Sequence, residues 1–242
     1  MATLNSTISG SNTGDTLLGT ESDQLITAGT GADSIGSQFA SSSLLGSDGN
    51  DTFFANTKVP GVGVGSTLKG GSGSDSFEFN SYGLTSVALA ANADNDSIRL
   101  TGPTVESTIW GGKGEDSVQL RNTLTSSFIY ANSGNDTIDV TAAVQGSFLN
   151  GGQGDDVLFG GDGDDVLTGG DGADIFEFVS SAETRTTKIT DYTVDDTLKF
   201  YLGENDSRIS QADYQNGTLT WENLSINLDN GLAWEDLSIV YV

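Results

Sequence analysis

Apolar side chains recur along this chain in pairs nine residues apart, and each pair brackets a polar turn containing an aspartate. The first members are Ile8, Ile26, Leu44, Leu68, Leu89, Ile109, Ile129, Leu149 and Leu167. The second are Leu17, Ile35, Phe53, Phe77, Ile98, Val118, Ile138, Leu158 and Phe176. Two residues before each second member stands Asp15, Asp33, Asp51, Asp75, Asp96, Asp116, Asp136, Asp156 or Asp174, at spacings by subtraction of 18, 18, 24, 21, 20, 20, 20 and 18. The position five before each aspartate is Gly or Ala, and the position two before it is Gly except at Thr13 and Asp94. Such phasing predicts two short strands flanking each turn.

A coil this short buries its apolar residues only by stacking on its neighbours. The expectation is therefore an all-β parallel β-solenoid of about nine coils over 1–178, each with two strands and two turns. Extra residues should collect at the corner opposite the aspartates. KVPGVGVG at 58–65, in the longest spacing, reads as a protruding loop because Pro and Gly break a strand ladder. After Phe178 the repeat stops, and 179–242 reads as a β-rich cap. There TLTWENLSINL at 218–228 should pair with DLSIVYV at 236–242, and Tyr192, Phe200, Trp221 and Trp234 should cover the end of the stack. The first coil shows no comparable cap, which leaves an edge able to pair with another chain.

Composition narrows the chemistry. Among 242 residues, 33 are glycine and 2 proline, and 34 acidic against 9 basic side chains give a net charge of −25. That self-repulsion opposes compaction unless cations sit among the carboxylates, and it disfavours nucleic acid as a partner. With no cysteine and no histidine, disulfides, thiolate catalysis and imidazole chemistry are excluded. No apolar run reaches the roughly 20 residues of a membrane span, and MATLNSTISG lacks the features of a secretory signal.

The run GGQGDDVLF, GGDGDDVLT, GGDGADIFE at 151–177 resembles, three times over, the nonapeptide G-G-x-G-x-D-x-U-x of the RTX, or haemolysin-type, calcium-binding repeat. The likeness is good again at 70–79 and 111–120. It implies a calcium-binding β-roll whose ions lie between stacked turns. Each would take one aspartate carboxylate from each turn, with backbone carbonyls supplying the rest of the six to eight oxygens that calcium prefers. Carried onto this chain, the carboxylates are Asp33, Asp51, Asp75, Asp116, Asp136, Asp156 and Asp174. The carbonyl donors are Gly49, Gly71, Gly73, Gly112, Gly114, Gly134, Gly152, Gly154, Gly169, Gly170 and Gly172. Pairs expected to share an ion are Asp33 with Asp51, Asp116 with Asp136, Asp136 with Asp156, and Asp156 with Asp174. Asp15, Asp96 and Asp165 are secondary candidates. Asn92 and Asp94 replace glycines beside Asp96, and Asp165 faces the opposite edge, where TAAVQGS at 141–147 offers no partner turn.

Three function classes are open to such a chain. The leading expectation is a secreted calcium-dependent structural protein of a surface layer, filament or matrix, not an enzyme, stacking head to tail on itself. The resemblance also implies type I export, with its signal inside 179–242. The alternative is an adhesin that binds cell-surface carbohydrate. An enzyme finds no support, since neither H-E-x-x-H nor G-x-S-x-G occurs. The positions three before each aspartate contain one threonine in nine, so no regular threonine row is presented to ice.

Overall fold

The computed structural model describes residues 6–37, 41–55, 64–79, 83–140, 144–145, 148–181, 183–203, 206–228 and 231–242. The first apolar members stand in register on neighbouring parallel strands, from Ile8 through Ile26, Leu44, Leu68, Leu89, Ile109, Ile129 and Leu149 to Leu167. The second members do the same from Leu17 to Phe176. The result is an all-β parallel solenoid of about nine turns, built on sheets of 13 and 11 strands. Strand side chains alternate between faces, so both apolar ladders point inward: Ile26, Ile35, Leu149 and Leu158 are fully buried. Each such side chain contributes roughly 1.5–3 kcal/mol by leaving water. Phe53 and Phe77 stack with ring centroids 4.4 Å apart.

Two-stranded coils are not the whole architecture. In the longer coils the corner opposite the aspartates carries a third strand, at Leu84–Thr85, Thr104–Val105, Leu124–Thr125 and Val144–Gln145, in a four-stranded parallel sheet. The added residues bury Leu84, Thr104 and Leu124, which explains why a coil of 20 residues gains core and not merely loop. Most of the 58–65 loop lies outside the described residues, although Val64 bridges Thr85.

Both ladders run on past Phe178. Arg185–Ile189 joins the first sheet beside Val166 and Leu167, and Leu224–Leu228 follows it. Thr197–Tyr201 and then Ile239–Tyr241 extend the second. The pairing expected between 218–228 and 236–242 is not formed. Instead Thr218–Trp221 folds back antiparallel on Leu224–Leu228, and Ile239–Tyr241 crosses to the other sheet, where Ile239 and Tyr241 stand opposite Leu198 and Phe200. Tyr192, Phe200 and Trp221 are buried, and Trp234 packs partly buried against the core, with its ring centroid 6.4 Å from that of Tyr214. The Tyr192 hydroxyl donates to the Asp196 carbonyl at 3.0 Å and accepts from the Ser238 N–H at 3.1 Å.

Candidate metal centre

Stacking in register converts the nine sequence aspartates into a column. The backbone N–H of each donates to Oδ1 of the aspartate one coil further on. The bonds run from Asp15 to Asp33 at 2.6 Å and through Asp51, Asp75, Asp96, Asp116, Asp136 and Asp156 to Asp174, at 2.7–2.9 Å in the later steps. A tenth member continues it, for the Asp174 N–H donates to Asp196 Oδ1 at 2.8 Å. From Asp33 to Asp174 every carboxylate is buried, and in each the second oxygen, Oδ2, accepts no hydrogen bond.

The turn that presents this oxygen has one backbone shape. Positions four and two before the aspartate take positive φ, as at Gly152 and Gly154, both 121°. A Cβ at Gly152 would strike the carbonyl of Asn132 in the preceding turn, and positive φ itself favours glycine. All the other candidate glycines share that region except Gly169, which stands five before Asp174 and lies against its carboxylate. Where glycine is missing the shape survives, with φ of 87° at Asn92, 74° at Asp94 and 81° at Asn132. The structure therefore gives Asp96, set apart in the sequence by Asn92 and Asp94, the same surroundings as its neighbours.

The two ends differ. Asp15 Oδ2 accepts from Ser11 N–H at 2.6 Å and Ser11 Oγ at 2.8 Å, and Asp196 Oδ2 accepts from Thr193 N–H at 2.6 Å. Asp191 closes the last turn by accepting from Gly169 and Gly170 N–H at 3.0 and 2.8 Å. A second column runs alongside the first: Oδ1 of Asn50, Asn95, Asn135 and Asp155 accepts the N–H one coil on, at 2.9–3.0 Å. Its signal was present as Asn or Asp just before the turn aspartate. Asp165 lies at the opposite edge, buried, among the charged groups that include Arg185.

Burial is the main force on the column's protonation. It raises Asp75, Asp116 and Asp156 to about 7, Asp96 to about 8, and Asp136 and Asp174 to about 6, against partial relief from the amide donors. Strands lie about 5 Å apart, and two unit charges at that distance repel by roughly 3 kcal/mol at an effective dielectric of 20. Buried, acceptor-only oxygens that accept no hydrogen bond and are flanked by glycine-turn carbonyls are what a hard cation with oxygen ligands requires, so the residues present fit calcium. Among the described residues no three acidic side chains converge on one point, which leaves carbonyl oxygens to complete any coordination sphere.

Fold and column together define a calcium-binding parallel β-solenoid. The family described as the RTX calcium-binding nonapeptide repeat (4 copies) matches residues 126–142 and 147–176. These segments are RTX repeats, calcium is the ion such repeats bind, and no enzyme domain is indicated. A search of curated proteins gave no match.

Proposed function

We propose that this chain is an extracellular structural protein, a subunit of a surface layer, filament or matrix, whose folding is driven by calcium entering the aspartate column. The observation that carries the reading is the run of eight buried Oδ2 atoms from Asp33 to Asp174 that accept no hydrogen bond. They span most of the solenoid, so holding the ions and stacking the coils are one event. Neighbouring members of that run share ions in this reading, with Asp75 and Asp96 included and Asp15 left out. Residues 179–242 serve as the cap.

Assembly is supported by the asymmetry of the ends. Among the described residues Ser6–Ser9 and Thr16–Gly19 are edge strands, and Ile8 and Leu17 on them are only partly buried. The far end of the first sheet closes in an antiparallel hairpin. A head-to-tail contact through the open coil would be heterologous and would propagate into a fibre. A second reading, a carbohydrate-binding surface module, has one observation in its favour: Trp110, Asn92, Asn132 and Lys113 line a groove on the outer face of the first sheet. An aromatic face with side-chain amides beside it suits a sugar ring.

Electron microscopy with sedimentation, in millimolar calcium and again in chelator, separates the two. Calcium-dependent filaments or sheets are expected. A folded monomer in calcium contradicts assembly and leaves the Trp110 groove as the site to test with glycans.

A further inference from the structure

The nonapeptide GGDGDDVLT at 160–168 matches the repeat pattern as strictly as its neighbours, and it lies within the matched segment 147–176. Its geometry differs from theirs. No residue from Gly160 to Asp165 takes the positive φ found at Gly152 and Gly154 before it and at Gly170 and Gly172 after it. Asp165 is buried, yet across from it, one position before the Val166 and Lys188 pair, stands the buried Thr187 in place of a second carboxylate. The next coil also brings a cation to this turn, from the start of the strand Arg185–Ile189. Arg185 is 2 % exposed, its Nη1 donates to Asp162 Oδ1 at 2.6 Å, and its Nη2 donates to the Val179 carbonyl. Burial lowers the Arg185 pKa, and the Asp162 and Asp165 carboxylates raise it. A guanidinium stays protonated throughout the range in which proteins fold. Next door, the Thr186 N–H donates to Asp164 Oδ1 at 2.7 Å and the Lys188 N–H to the Asp165 carbonyl at 2.8 Å.

We infer that Arg185 is the fixed counter-ion of this edge, taking the part calcium plays on the other, so that the 160–168 repeat binds no calcium despite its sequence. The residues do not fit a divalent ion there. A second cation would meet a buried positive charge, Thr187 in register where a shared site needs a second turn aspartate, and a glycine turn without the positive φ of the column turns. A guanidinium can answer several oxygens at once through its planar fork of donors, which the bonds to Asp162 and Val179 already use. At this edge the last coils are thereby held by a side chain of the chain itself, whereas the aspartate edge of the same coils takes calcium. This rests on the reading of the aspartate column as the calcium site.

The test is a count of bound calcium, by equilibrium dialysis and atomic absorption, on the full chain and two single variants. Asp165→Asn is expected to bind as many ions as the parent, and Asp156→Asn fewer. Loss of an ion from folded Asp165→Asn overturns the inference. An unchanged count in Asp156→Asn would instead overturn the column reading, so the two failures are distinguishable. Should Asp165→Asn not fold, Arg185→Gln decides: with Thr187 and the turn conformation unchanged it is expected to keep the parent's calcium count and to lower the thermal midpoint even in saturating calcium, because the buried carboxylates lose their counter-ion, and a folded Arg185→Gln with the parent's midpoint overturns the inference.

Discussion

At the scale of single residues, six carboxylates of the column, Asp75, Asp96, Asp116, Asp136, Asp156 and Asp174, have folded pKa values above the ordinary aspartate value of 3.8, at about 6 to 8. The folded state therefore binds more protons than the unfolded chain between those limits, and stability without metal falls as pH rises. This contribution is fully present below pH 4 and is lost as pH climbs through 6 to 8. In chelator, a β spectrum and a thermal midpoint followed by circular dichroism should emerge and rise as pH is lowered from 8 towards 5, and the gain should shrink when calcium is present. A midpoint that falls with acid over that range would contradict the assignment of burial as the dominant force. The same residues explain what could be read in advance. Aspartates with glycines before them were visible as a phased set, whereas Asp196 escaped because its turn carries Tyr192 and Val194 where other coils have glycine. Only Ile189 and Leu198, at the right offsets on either side, gave it away.

At the scale of strands, each coil contributes one inward side chain per ladder position, and neighbours on both sides fix the register. Leu149 is fully buried between Ile129 and Leu167. Replacing it by Ala should cost about 2–5 kcal/mol, while Ala at the outward Phe148 should cost much less. Equilibrium urea unfolding in calcium measures both, and equal losses would mean that the faces are wrongly assigned. The two long ladders were legible because every coil repeats the same apolar pair. The third sheet was not, since two-residue strands such as Leu84–Thr85 offer too few positions for a period to show. The crossing of Ile239–Tyr241 to the second sheet was hidden for a related reason. Its alternation fits either sheet, and only the buried Tyr192 and its bonds to Ser238 and Asp196 decide between them.

At the scale of the whole molecule, 34 acidic side chains on a 242-residue chain are compatible with a thin solenoid only if something neutralises the column. Folded domains are stable by about 5–15 kcal/mol, and several neighbouring repulsions of roughly 3 kcal/mol consume that margin at neutral pH. On the proposed reading calcium removes the repulsion and pairs the Oδ2 atoms of the column together, so its effect should be cooperative along the stack. The most direct test is far-ultraviolet circular dichroism at pH 7.5 as calcium is titrated into chelator-treated protein. The account predicts a disordered spectrum without calcium and a steep, cooperative appearance of the β spectrum as the ion is added. A full β spectrum in excess chelator, unchanged by calcium, would contradict it.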